Sequence, residues 1–202
     1  MAYVKLSEYV YDCRKCHTRC NGISKGIYSF ENDVQFSEHY ENIVIDKINK
    51  SEKFIAAKCV TAGYPDIEIK TKAGILHHYL EIKVQQRTFM SVQKYLPESG
   101  LVPSETVALN LSDLLRYFTI KQQTGVPSGI LWVVLNRLCI IAAGQEQMFY
   151  QDTQTLQSIY KTELFKRKFT RKSGEGDVVD GVHKGVTVNY HFSLKELRPW
   201  HA

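Results

Sequence analysis

The spacing of apolar positions along the chain alternates between a helical period and a strand period. Within residues 37–50, Tyr40, Ile43, Val44 and Ile48 recur at helical spacing, which predicts an amphipathic helix with Ser37 as N-cap and Glu38 and Glu41 in or near its first turn. From Lys53 the pattern shortens. Residues 54–57, 67–71 and 76–84 read as three strands, the last two punctuated by Lys72-Ala73-Gly74. The stretch up to Ser104, which holds Pro97, Gly100 and Pro103, reads as loop with a short helix. Residues 112–123 predict a second helix, capped by Ser112, with Leu114, Leu115 and Phe118 on its apolar side and Gly125-Val126-Pro127 as its stop. Strands at 129–135 and 138–143, a helix at about 153–165 and a final strand at 185–193 complete the pattern. Strands interspersed with helices in this way predict an α/β fold, a central mixed β-sheet flanked by helices.

Length and composition narrow this reading. With 202 residues the chain is expected to form one domain, residues 1–202, with a cysteine-bearing N-terminal segment at about 1–30 that closes on Asn21-Gly22 and Lys25-Gly26. Its longest apolar candidate, Ile130 to Leu135, falls far short of the roughly 18 to 20 residues of a membrane span, so no membrane partner is expected. The first residues lack the basic-then-apolar pattern of a secretory signal, and a cytoplasmic location is the expectation. The net charge of +5 is modest. Its distribution says more, because Lys161, Lys166, Arg167, Lys168, Arg171 and Lys172 fall close together with Phe165 and Phe169 interleaved. Such a run is either a solvated charge cluster or a basic face for phosphate.

The chemistry concentrates between Pro65 and Gln85. Hydrolysis of a phosphodiester needs an activated water, compensation of charge at the transition state and help for the departing oxygen. A divalent cation held by carboxylates, with positions left open, can serve all three needs. A lysine beside it adds charge and, if its pKa is lowered, can deprotonate the water. A turn centred on Ala73-Gly74 sets residue 72 opposite residue 75 and therefore Asp66 opposite Glu81. Directly opposed residues share a face at a Cβ separation of about 4.5 to 5.5 Å. By alternation Lys83 and Gln85 also share that face, while Ile82 and Val84 turn to the core and the Ile82 carbonyl lies between the acid and the lysine.

Pro65-Asp66, fourteen intervening residues and Glu81-Ile82-Lys83 resemble the signature of the PD-(D/E)XK nuclease superfamily, which includes restriction endonucleases and repair and resolution nucleases. The resemblance implies a restriction-endonuclease-like core in which a helix precedes a mixed sheet. It also implies that Asp66 and Glu81, with the Ile82 carbonyl, hold Mg²⁺, for which Mn²⁺ is an expected substitute, and that Lys83 assists the water. Glu41, or second Glu38, would be the extra helix acid. Glu68 and Gln85 are supporting candidates. On this reading the chain is a Mg²⁺-dependent endonuclease of the type II restriction kind. Its partner is duplex DNA, contacted by Lys166, Arg167, Lys168, Arg171, Lys172 and the loop that follows, and a homodimer would serve the two strands. The rivals are a repair, junction-resolving or RNA-cutting nuclease of the same fold, and a non-catalytic zinc-containing nucleic-acid-binding module.

Two features compete with this reading or stand outside it. Glu68-Ile69-Lys70 is a second E-x-K, disfavoured because Asp46 and Glu52, its candidate upstream acids, belong to the preceding helix or its end rather than to a strand. Cys13 and Cys16 have the spacing of a zinc knuckle, with Cys20 or His17 as third ligand and Cys59 or His39 as a distant fourth, so a structural Zn²⁺ is a candidate. An odd total of five cysteines argues against a disulfide framework. His77 is placed by parity on the side of Glu81. No glycine-rich phosphate loop or dinucleotide fingerprint is present.

Overall fold

In the structure, a computed structural model, the first helix, α1 (Phe30–Lys50), begins seven residues before the expected cap. Ser37 therefore lies inside the helix rather than at its N-cap. The structure describes residues 30–85, 88–135, 147–171, 178–179, 182–183 and 188–200. Cys13, Cys16, Cys20 and His17, the expected strand at 138–143, and Lys172 with most of its loop lie outside them.

After α1 come β1 (Phe54–Lys58), β2 (Ile67–Thr71) and β3 (Leu76–Gln85), which form an antiparallel meander. The short helix α2 (Val92–Tyr95) and strand β4 (Thr106–Asn110) then lead to α3 (Leu111–Thr124) and β5 (Ser128–Val134). Strand β5 runs parallel to β3, and β6 (Gln147–Asp152) returns antiparallel to β5. The chain continues through α4 (Thr153–Glu163), β7 (Lys168–Thr170), β8 (Val178–Val179), β9 (Val182–His183), β10 (Val188–Ser193) and β11 (Arg198–Pro199). The result is a mixed α/β fold built on a central mixed sheet, in the order β1-β2-β3-β5-β6-β11, with helices packed against it. A second sheet, β4-β10-β7, was not legible as such in the sequence, and β8 and β9 form a separate two-stranded pair.

Both faces of the central sheet are covered, which is why every residue of β5 is buried. On one face Tyr40, Val44 and Ile48 of α1 meet Ile67, Ile69, Leu80, Ile82, Leu131 and Val133. On the other, Tyr79, Ile130, Trp132 and Val134 pack against Leu114, Tyr117 and Phe118 of α3 and against Tyr190 and Phe192 of the second sheet. Full burial of such a side chain contributes roughly 1.5 to 3 kcal/mol, so α1 is held by its apolar stripe. Helix α3 starts one residue before the expected cap, with Asn110 at the N-cap position, and Leu115 is exposed rather than part of the apolar side.

Candidate active site

The hairpin that carries the motif departs from the simplest register twice, and the departures cancel. Its loop has three residues, with Gly74 at φ 79° and Thr71 facing Ile75 through a Thr71 N–H to Ile75 O bond of 2.8 Å. Only glycine adopts that backbone without strain, and the three-residue loop ending on it is a common hairpin form. One residue further on, Lys70 pairs with Leu76 while Ile69 pairs with His78, so β3 carries an extra residue, His77, as a bulge. Beyond it Glu68 opposes Tyr79 and Ile67 opposes Leu80. The same register carried one step further sets Asp66 against Glu81.

The bulge changes the place of His77. It stacks on Phe54 at 4.8 Å and 17°, and it lines a cavity together with His78 and Leu80, on the α1 side of the sheet. The expectation that it shares the side of Glu81 is thus corrected.

Asp66 sits just before β2 and still bonds to β1 through its carbonyl, which accepts from Cys59 N–H at 2.8 Å. Its side chain takes over a strand bond, because Asp66 Oδ2 accepts from the Ile82 N–H at 2.8 Å. A strand continued in this register would bring residue 65 opposite Ile82. Pro65 has no N–H to donate there, and the N–H and C=O of one strand residue leave by the same edge, so the Ile82 carbonyl faces the Asp66 side without a donor from β2. The proline before the aspartate thus has a structural role.

Glu81 is 2 % exposed. Its Oε1 lies 2.6 Å from Lys83 Nζ, and Tyr117 of α3 directs its hydroxyl to the same carboxylate. Burial and the Glu81 charge push the Tyr117 pKa well up, so it stays a neutral donor. Lys83 Nζ also stands 4.0 Å from Asp113 Oδ2, and Asp113 is itself bonded to Arg116 at 2.8 Å. Burial and the neighbouring Glu81 charge raise Asp66 to about 7, against the Ile82 N–H and Lys83, which lower it. Glu41 adds to the rise. Burial works to lower the Lys83 pKa, but Glu81, Asp66 and Asp113 outweigh it and the net shift is upward. In the metal-free protein Lys83 is therefore a cation, not the neutral base the sequence reading allowed for.

The other candidates are placed as follows. Glu41 and Glu38 reach Lys58 of β1 at 3.2 and 3.6 Å, with Glu41 the more buried. Glu68 pairs with Lys70 at 2.6 Å. Gln85 is engaged by β4, its Oε1 accepting from Ala108 N–H at 3.0 Å. Arg167, expected to contact DNA, turns inward: it is 7 % exposed, and its guanidinium pairs with Glu196 at 2.7 Å and Glu163 at 3.6 Å. Lys166, Lys168 and Phe165 beside it are exposed, and Arg171 is half-buried. Cys59 is a half-buried free thiol, and His39 packs edge-on against Tyr40. Reading the sequence for apolar stripes missed Asp113, Arg116 and Tyr117. Their signal was one polar helix face at spacings of three and four.

Among the described residues, no three histidine, cysteine or acidic side chains stand close enough to hold a metal ion. The groups that could hold a divalent cation here are the Asp66 and Glu81 carboxylates and the Ile82 carbonyl, with water and substrate filling the remaining positions. That fits a cation bound through one or two carboxylates, and a carboxylate whose proton affinity is raised by burial and by a second carboxylate is a place where a cation is favoured.

No protein-family profile matches the chain, and no curated protein sequence matches it. Among solved structures, the chain is similar to Hjc, a Holliday junction resolvase from the archaeal hyperthermophile Archaeoglobus fulgidus. The two share 9 % identity at a TM-score of 0.40, over 79 % of this chain and 85 % of that one. A likeness of that degree carries no functional argument by itself. No helix among the described residues is long and apolar enough to cross a membrane.

Proposed function

We propose that the protein is a Mg²⁺-dependent nuclease that hydrolyses phosphodiester bonds in DNA, with Asp66 and Glu81 holding the ion and Lys83 beside it. The observation that carries this reading is the convergence of a buried Glu81, a half-buried Asp66 and a charged Lys83 on one face of the sheet. When bound, Mg²⁺ supplies Lewis acidity toward a phosphate oxygen and a more acidic water. The chain's own residues do the remaining work. The Ile82 N–H fixes the Asp66 carboxylate, and Tyr117 and Lys83 fix that of Glu81. Lys83 holds its positive charge where it can orient a water and balance charge on the phosphate, and Asp113 keeps it there. Glu41 enlarges the negative field at Asp66 from the α1 side.

Exposed Lys166 and Lys168, with Phe165, are the surface we assign to phosphate contact, and Arg167 is withdrawn from it. Cleavage of both strands at one place calls for two copies of the centre, so a homodimer accompanies the duplex, restriction-like version of the proposal. The test is nicking of supercoiled plasmid in Mg²⁺ by the wild type, Asp66→Ala and Lys83→Ala. Loss in both variants with plasmid binding retained supports the mechanism. Equal activity in all three removes it.

A further inference from the structure

On the α1 side of the central sheet lies a cavity of about 580 Å³, within the size range of small-molecule sites. Its floor is apolar, made by Ile48 of α1, Ile69 of β2 and Leu80 of β3. Its walls are aromatic: the stacked pair Phe54 and His77 on one side, Tyr150 and Trp200 on the other. Two cations, Lys53 and Arg198, line it as well, and Arg198 lies 4.8 Å above the Tyr150 ring. None of its lining residues is acidic. Asp152, near enough to act on His78 and Tyr150, is engaged in capping α4 through the N–H and hydroxyl of Thr155.

We propose that this cavity binds a nucleotide, its base stacked among the rings and its phosphate held by Lys53 and Arg198. Inorganic phosphate alone would leave the apolar floor and rings unused, and a neutral aromatic compound would bring no anion to the two cations. A flat ring carrying an anionic phosphate satisfies both. A polar edge is also provided. His78 accepts or donates one bond at Nε2 to the Tyr150 hydroxyl, 3.1 Å away, and burial keeps its imidazole neutral, with a pKa lowered to about 4. The second ring nitrogen of His78 then remains to read a hydrogen-bonding group on a base.

Two local features shape the cavity. The β3 bulge puts two consecutive histidines along its lining, where a regular strand would send one to the opposite face. The Tyr150 ring crosses so close over Gly129 that a Cβ there would fall 2.3 Å from it. The proposal is independent of the roles assigned to Asp66 and Glu81.

Isothermal titration of the full chain with adenosine 5′-monophosphate, adenosine, inorganic phosphate and a short oligoadenylate tests it. The monophosphate is expected to bind at least about tenfold more tightly than adenosine or phosphate, since each of those forfeits one half of the recognition. Lys53→Glu and Arg198→Glu, both at exposed positions, are expected to weaken it about tenfold each, with unchanged circular dichroism. Quenching of half-buried Trp200, against fully buried Trp132, gives a second readout in the wild type. Tighter binding of the oligonucleotide, lost in the same variants, identifies the ligand as a unit of a strand. Equal or weaker binding of the oligonucleotide identifies a free nucleotide. Absence of saturable binding to the monophosphate and the oligonucleotide up to millimolar concentration overturns the proposal, as does binding unchanged in both charge-reversed variants.

Discussion

Two E-x-K triplets lie on neighbouring strands of this sheet, and each closes the same ion pair, Glu68 with Lys70 and Glu81 with Lys83, at 2.6 Å. What separates them is location. Glu68 and Lys70 belong to β2, flanked by the edge strand β1, and their side chains are 23 % and 39 % exposed. Glu81 and Lys83 belong to β3, flanked by β2 and β5 and roofed by α3, and the Glu81 side chain is 3 % exposed. The first pair is a screened surface ion pair, worth about 0 to 1 kcal/mol. In the second, Lys83 is 33 % exposed but the Glu81 carboxylate is buried beside Tyr117, where solvent screens it little and it acts on Asp66 and Tyr117. Identical local sequence thus yields a surface contact in one place and a candidate catalytic centre in the other.

The comparison can be broken most severely at the lysines. Lys83→Met is expected to lower the rate of plasmid nicking by about 10² to 10⁴, the range of a positioned proton-handling or charged group. Lys70→Met should leave it within about threefold, because a screened pair loses little when one partner goes. A similar loss in both variants would mean that the triplets are not distinct. Next in size is Asp113→Asn, which leaves Lys83 without one of its anchors. A loss of about tenfold in turnover, with KM for plasmid little changed, is expected, and kinetics at varied plasmid concentration reads the two apart.

Stability against pH sharpens the contrast in the metal-free protein. Asp66 has a folded-state pKa raised to about 7, above its unfolded value of about 4. Its contribution is therefore fully present below about pH 4 and is lost as pH rises toward and through 7. Denaturation in EDTA should show Asp66→Asn gaining on the wild type as pH rises from about 4 to 8, by an amount on the order of a few kcal/mol. His78 and His191, both lowered to about 4 by burial, act in the opposite direction below pH 6.5. The difference between variant and wild type, not the wild-type profile, isolates Asp66. The smallest effect belongs to Glu68→Gln, expected to shift stability by less than about 0.5 kcal/mol at any pH in that range.

The sequence made the α1 face legible through Tyr40, Val44 and Ile48, and the period-two runs located β1, β2 and β3 to within a residue at either end. The Asp66 to Glu81 register was legible only because two errors offset one another. A two-residue turn was assumed where Gly74 supports three, and the His77 bulge restored the count. Nothing in a single sequence announces a bulge, since it depends on packing against Phe54 and the α1 side. Strand β4 and its sheet escaped notice because their partners, β7 and β10, lie some sixty to eighty residues away in the chain and β4 follows Pro103 closely. Arg167 was read as a surface cation because the sequence does not show Glu196 folding back onto it.

The claim that burial, not the motif alone, makes the candidate site is tested most directly by the two glutamates. Nicking of supercoiled plasmid in Mg²⁺ would be compared for the wild type, Glu81→Gln and Glu68→Gln at equal protein concentration. The account predicts wild-type rates for Glu68→Gln and a loss of at least about a hundredfold for Glu81→Gln. Wild-type nicking by Glu81→Gln, or loss in Glu68→Gln alone, would contradict it.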